Sequence, residues 1–168
     1  MHYQKTRLLV LTGLMLAVAI VLSVVENMLP PLPIPVPGVK FGLSNIAVMY
    51  ALFFLGKKQA FTIALLKSVF VFATRGMIAS LLSLAGGILS LVVMITLLAI
   101  FGKRISYLMI SLFGAVAHNL GQFLVITLLY TDLAILGYLP LLMVSGILAG
   151  IATATLLKFI LPAFRSFT

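Results

Sequence analysis

A compact, all-α bundle of six transmembrane helices is the fold class this sequence predicts, and three observations carry it. Of 168 residues, 64% are hydrophobic and 8% are charged, with a mean hydropathy of +1.34. A soluble domain needs far more charge to cover its surface. Apolar runs reach or approach the roughly 20 residues that cross a bilayer. The basic residues stand at the ends of those runs, on alternate connections.

The six spans can be placed in order at about 8–25, 41–55, 60–74, 77–101, 105–130 and 133–160. None shows the alternation of a membrane barrel, so helices are the only reading. The first follows Lys5 and Arg7. It is long for the apolar region of a signal peptide and no small-residue cleavage site follows, so it reads as a true span. The second and third are short, and Lys57–Lys58 separates them. Arg75–Gly76 divides the third from the fourth, Lys103–Arg104 the fourth from the fifth, and Asp132 the fifth from the sixth.

Lys5, Arg7, Lys57, Lys58, Lys103, Arg104, Lys158 and Arg165 then share one side, eight of the eleven basic residues. This is the positive-inside pattern, with both termini cytoplasmic. It accounts for most of the +9 formal charge, so nucleic acid is an unneeded partner and the lipid bilayer the expected one. The chain reads as a single domain over residues 1–168, without a soluble part. There is no cysteine, which excludes disulfides, thiolate metal sites and iron–sulfur clusters. The absence of native cysteine also makes the topology testable. A Val36→Cys chain is expected to label from outside the cell and a Lys58→Cys chain only from within; the reverse pattern would invert the model.

Wheel arithmetic at ~100° per residue locates the polar groups. On the third span Ala60, Ala64, Lys67 and Thr74 share a face with Arg75 at its edge, opposite Phe61, Leu65, Val69 and Phe72. The small face suits neighbouring helices and the bulky face suits lipid. On the fourth, Ser80, Ser83, Gly87 and Ser90 fall together. On the fifth, Ser111, Gly114, Ala115, His118, Gly121 and Gln122 form a stripe opposed by Val116, Leu120 and Phe123. His118 and Gln122 read either as side chains each satisfied by a hydrogen bond to another helix or as ligand contacts.

Lys67 stands nine residues from Lys58 and eight from Arg75, roughly 12–14 Å of helix from either end. A charge at that depth costs at least ~2.5–3.5 kcal/mol. Either it meets backbone carbonyls or gives up its proton, or it faces a wet cavity and an anionic or carbonyl group. Lys40, Lys67 and Arg75 are the basic residues that sidedness leaves unexplained. With Ser44 and Asn45, and with Glu26 and Asn27 ending the first span, they point to an outward pocket for an anionic or strongly polar ligand.

The stretch "LPPLPIPVP", residues 29–37, carries five prolines. Such chain is pre-ordered and extended at ~3.1 Å per residue, so it reaches roughly 28 Å. A hairpin connection needs only a few residues. It reads as a lid across the outer mouth, or as a strip lying in the membrane interface.

The segment "PGVKFGLSNI" after this stretch, the "GLMLAVAIVL" of the first span and the six-span layout resemble one family over nearly the whole chain. It is the bacterial Gx transporter family, also described as heptaprenyl diphosphate synthase component I. That family is similar to the S components of energy-coupling factor transporters. The resemblance implies a multi-pass protein of the bacterial plasma membrane with a vitamin-sized pocket near its outer face. The residues singled out above, Lys40, Ser44, Asn45, Lys67, Arg75, His118 and Gln122, would be its ligand contacts. It further implies a coupling partner docked on small residues four apart, here Gly13 and Ala17.

A prenyl diphosphate synthase uses aspartate-rich clusters to hold magnesium. Glu26 and Asp132 are the only acids in this chain, so no catalytic residues and no metal ligands are assigned, and it reads as a non-enzyme. A second implication comes from the genomic systems that related proteins resemble, those of flavin-based extracellular electron transfer. It is a membrane subunit that binds flavin or quinone and hands electrons to an electron-transfer partner, with Lys67 or His118 at the ligand's carbonyls.

Overall fold

The computed structural model describes residues 2–28, 42–130, 137 and 139–164. The expected lid, Lys40, Asp132 and Arg165 lie outside these. Among the described residues every regular element is helical: α1 (His2–Met28), α2 (Asn45–Tyr50), α3 (Lys57–Arg75), α4 (Met77–Phe101), α5 (Tyr107–Leu129) and α6 (Leu139–Phe164). A π-helical turn, Ala51–Leu55, prolongs α2, and a 3₁₀ turn, Gly102–Arg104, follows α4. Gln4–Met28, Met77–Phe101, Tyr107–Leu129 and Leu139–Phe159 are long and apolar enough to cross a membrane.

The second segment is helical only from Asn45, later than the expected start at 41. Gly42 is the reason: its φ of +78° belongs to the left-handed region and holds a turn, with Asn45 N–H donating to Gly42 O at 2.9 Å. The 45–55 segment that remains spans only ~16 Å. Its residues Ile46 to Leu52 are all buried, and α2 packs against α1, α3 and α6. A short apolar helix at this depth belongs to the core of the bundle.

Packing is densest along α4–α5, α5–α6 and α3–α4, so α5 lies between α4 and α6. Both faces of α5 are therefore covered. Phe123, assigned to the face opposed to the polar stripe, is itself buried. Ser111 Oγ donates to Gly150 O at 2.8 Å, and Asn119 Nδ2 to Leu142 O at 2.8 Å and Ser145 Oγ at 3.0 Å, all from α5 to α6. In hydrocarbon such groups need a partner inside the protein.

The reading of α3 holds with one correction. Ala60, Ala64 and Lys67 are buried and Phe61, Leu65, Val69 and Phe72 are exposed. Thr74 turns outward and donates back to Phe70 O at 2.9 Å, the usual way a membrane-helix threonine satisfies itself. A single residue, Gly76 at φ +83°, joins α3 to α4.

Candidate functional site

Four helices and the turn before α2 contribute to one polar cavity. Ser23 and Glu26 come from α1, Gly42 and Ser44 precede α2, and Lys67 and Arg75 lie on α3. Ser83 comes from α4, and His118 and Gln122 from α5. Lys67 is 2% exposed. Its Nζ donates to Asn45 Oδ1 at 2.9 Å and to Ser44 Oγ at 3.2 Å. An ammonium has three protons, so these two bonds leave one for a further acceptor. The carboxylate of Glu26 acts electrostatically on both Lys67 and Arg75. It also accepts the Gly42 N–H.

The Gly42–Asn45 turn is thus part of the site. Its glycine supplies the left-handed backbone and an N–H for Glu26, and its Ser44 and Asn45 hold Lys67. A side chain at Gly42 would be strained at this φ and would press on Asn45, with an added Cβ 2.8 Å from its Nδ2. This is the physical content of the "FGLSN" sequence.

On the α5 wall, Gln122 Nε2 lies 3.0 Å from His118 Nε2. An amide nitrogen only donates, so the imidazole Nε2 accepts and its proton sits on Nδ1. The ring packs over Gly86, where an added Cβ would fall 2.7 Å from His118 Nδ1. Although Nδ1 lies against the Gly86 backbone, it has no hydrogen bond of good geometry, and Gln122 Oε1 has no partner among the described residues. Both side chains are 4% exposed.

Of the residues expected in the site, Ser44, Lys67, Arg75, His118 and Gln122 line the cavity, and Asn45 holds Lys67 from beside it. Lys40 lies outside the described residues. Gly13 and Ala17 are elsewhere, exposed on the outer surface of α1. Glu26, expected beside the pocket but not among its ligand contacts, lines it, as do Ser83 from the polar face of the fourth span and Ser23, which was not singled out. A signal for two of them was present: Met15, Ala19, Ser23 and Glu26 follow helical spacing, and all four are buried.

The cavity measures about 30 Å³, room for one or two waters. It accommodates the polar head of a ligand and not a whole vitamin. Next to it, Asn45, Ser90, Ser111 and Thr153 border a smaller void of about 10 Å³, so polar groups continue inward from the cavity. Chemically the arrangement offers cationic donors on α3, a carboxylate on α1 and an open amide acceptor on α5.

A family model described as heptaprenyl diphosphate synthase component I matches residues 15–160. No curated protein and no solved structure matches the chain.

Proposed function

We propose, on the premise that this chain belongs to the heptaprenyl diphosphate synthase component I family, that it binds a small polar or anionic molecule within the membrane. Its role on this reading is that of the ligand-capturing, S-component-like subunit of a transporter in the bacterial plasma membrane. The observation that carries the reading is Lys67, a buried cation in a lipid-facing bundle, held by Ser44 and Asn45 at the edge of a polar cavity. A lysine there costs several kcal/mol on any scale. Neutral packing residues would fill the same space without that cost, so the expense calls for a purpose, and ligand capture supplies one.

The family's name speaks of a synthase. The acids of this chain, Glu26 and Asp132, stand 106 positions apart, and Glu26 already accepts a backbone N–H. An aspartate-rich magnesium site cannot be assembled from them, and we assign the chain no catalytic role of its own.

Capture for transport requires a partner that couples it to energy. The exposed α1 surface at Gly13 and Ala17 suits such docking: a Cβ added at Gly13 would meet nothing within 4 Å, and small residues let a partner's helix approach closely. Gly13→Leu or Ala17→Leu is expected to abolish co-purification of an ATPase-linked coupling protein from native membranes, while ligand binding by the isolated chain survives. The second reading, a subunit that binds flavin or quinone and passes electrons outward, draws on the same convergence of Lys67 with the His118–Gln122 pair. A reducible chromophore in the purified protein, with no coupling protein recovered, would replace transport with that reading.

A further inference from the structure

Gln122 is a buried side chain with one end committed and the other open. Its Nε2 is engaged with His118, and His118 is fixed in turn by its packing on Gly86. Oε1 belongs to a residue that lines the cavity and has no partner among the described residues. Leaving a buried acceptor unmet is unfavourable, whereas a ligand that meets it gains what the empty protein lacks. In the same cavity α3 makes the opposite demand: Lys67 has a third proton to give, and Arg75 adds further donors.

Resting on the reading of this cavity as a ligand site, we propose that its ligand carries a donor–acceptor head. One oxygen, anionic or carbonyl, would accept from Lys67 and Arg75, and an adjacent N–H or O–H would donate to Gln122 Oε1. Hydroxy acids, amino acids and cyclic imides or ureides have such a head. An oxidised quinone does not: its polar atoms only accept, and they would leave Gln122 Oε1 facing another acceptor. The volume agrees with a head of this kind, since about 30 Å³ admits a two-pronged polar edge while the rest of the molecule stays outside. Arg75, half-buried at the end of α3, marks the way the rest of the molecule would leave. Gln122 is on this account the specificity-determining residue and Lys67 the affinity-determining one.

The test uses the full chain, purified gently from native membranes, with the small molecules it carries released and identified by mass spectrometry. Three proteins are compared: wild type, Gln122→Met and Gln122→Glu. Methionine keeps the side-chain length and removes the acceptor; glutamate keeps an acceptor at the same place, and its second oxygen accepts from His118 Nε2 once the ring moves its proton from Nδ1. The wild type is expected to carry a molecule with a donor beside an anionic or carbonyl oxygen. Gln122→Met should lose it by about tenfold or more, the consequence of one lost hydrogen bond to a buried group, and Gln122→Glu should retain it. Melting temperatures of the three proteins report folding separately. A molecule with acceptors only, or equal occupancy in wild type and Gln122→Met, overturns the donor–acceptor assignment and leaves the binding reading standing. Equal loss in both variants makes Gln122 a structural residue and overturns the assignment as well. A wild-type protein that carries nothing overturns the binding reading itself.

Discussion

A Lys67→Met chain is expected to fold and to lose its ligand. Methionine is unbranched and fills much of the same slot, and it removes the charge whose burial costs at least ~2.5–3.5 kcal/mol. Against that gain stand Asn45 Oδ1 and Ser44 Oγ, each of which loses its bond to Nζ. A buried polar group left unmet costs roughly 1–3 kcal/mol, though the Ser44 hydroxyl can rotate toward another acceptor. The two sides nearly cancel, so the melting temperature should move little. Binding has no such compensation. A hydrogen bond to a charged group contributes about 1.5–3 kcal/mol, and its loss lowers affinity by roughly 10- to 150-fold. Ligand occupancy after purification, beside the melting temperature in the same detergent, measures both. Wild-type occupancy in a well-folded Lys67→Met protein would return the lysine to a structural role.

The second large effect belongs to the packing beneath the site. In a Gly121→Ala chain the new Cβ would stand 2.7 Å from Ala85 O, 2.8 Å from Gly86 Cα and 3.0 Å from Ala85 C. All three are backbone atoms of α4, so no rotamer change relieves the contact and the helices must part. Overpacking of this kind costs typically ~1–3 kcal/mol, and in lipid the association of helices rests on close approach itself. His118 packs on the same stretch of α4, over Gly86, so the α5 wall of the cavity should shift as well. The expected result is a lowered melting temperature together with weakened ligand retention. Gly13→Ala is the control, because a Cβ there meets nothing within 4 Å and should change neither. An unaltered melting temperature for Gly121→Ala would mean that the α4–α5 seam is looser than these distances require.

Much of this protein is legible in its residues one after another. Hydropathy and the placement of Lys57, Lys58, Lys103 and Arg104 divide the chain into its helices, because a bilayer imposes length and composition on each segment separately. Helical periodicity also assigns faces: Lys67 inward with Ala60 and Ala64, and His118 on one stripe with Gln122. The depth of Lys67 follows from counting turns. The "FGLSN" sequence, in contrast, reads as the start of the second span, and only the structure turns it at Gly42.

Tertiary structure alone decided which partners those faces meet. Nothing in α3 says that Lys67 finds Ser44 and Asn45, 23 and 22 residues earlier, because the bonds exist only when α2 is drawn into the bundle. Periodicity could mark Ser23 and Glu26 as buried. It could not aim the Glu26 carboxylate at a backbone N–H of a turn sixteen residues away. The same limit explains Thr74 and Phe123: a helical wheel has one inside, whereas α5 lies between two neighbours and Thr74, at the end of α3, is exposed. Composition and period fix the faces of a helix one at a time. A cavity is a property of several faces at once, and only their packing sets its charge, its volume and its open acceptor.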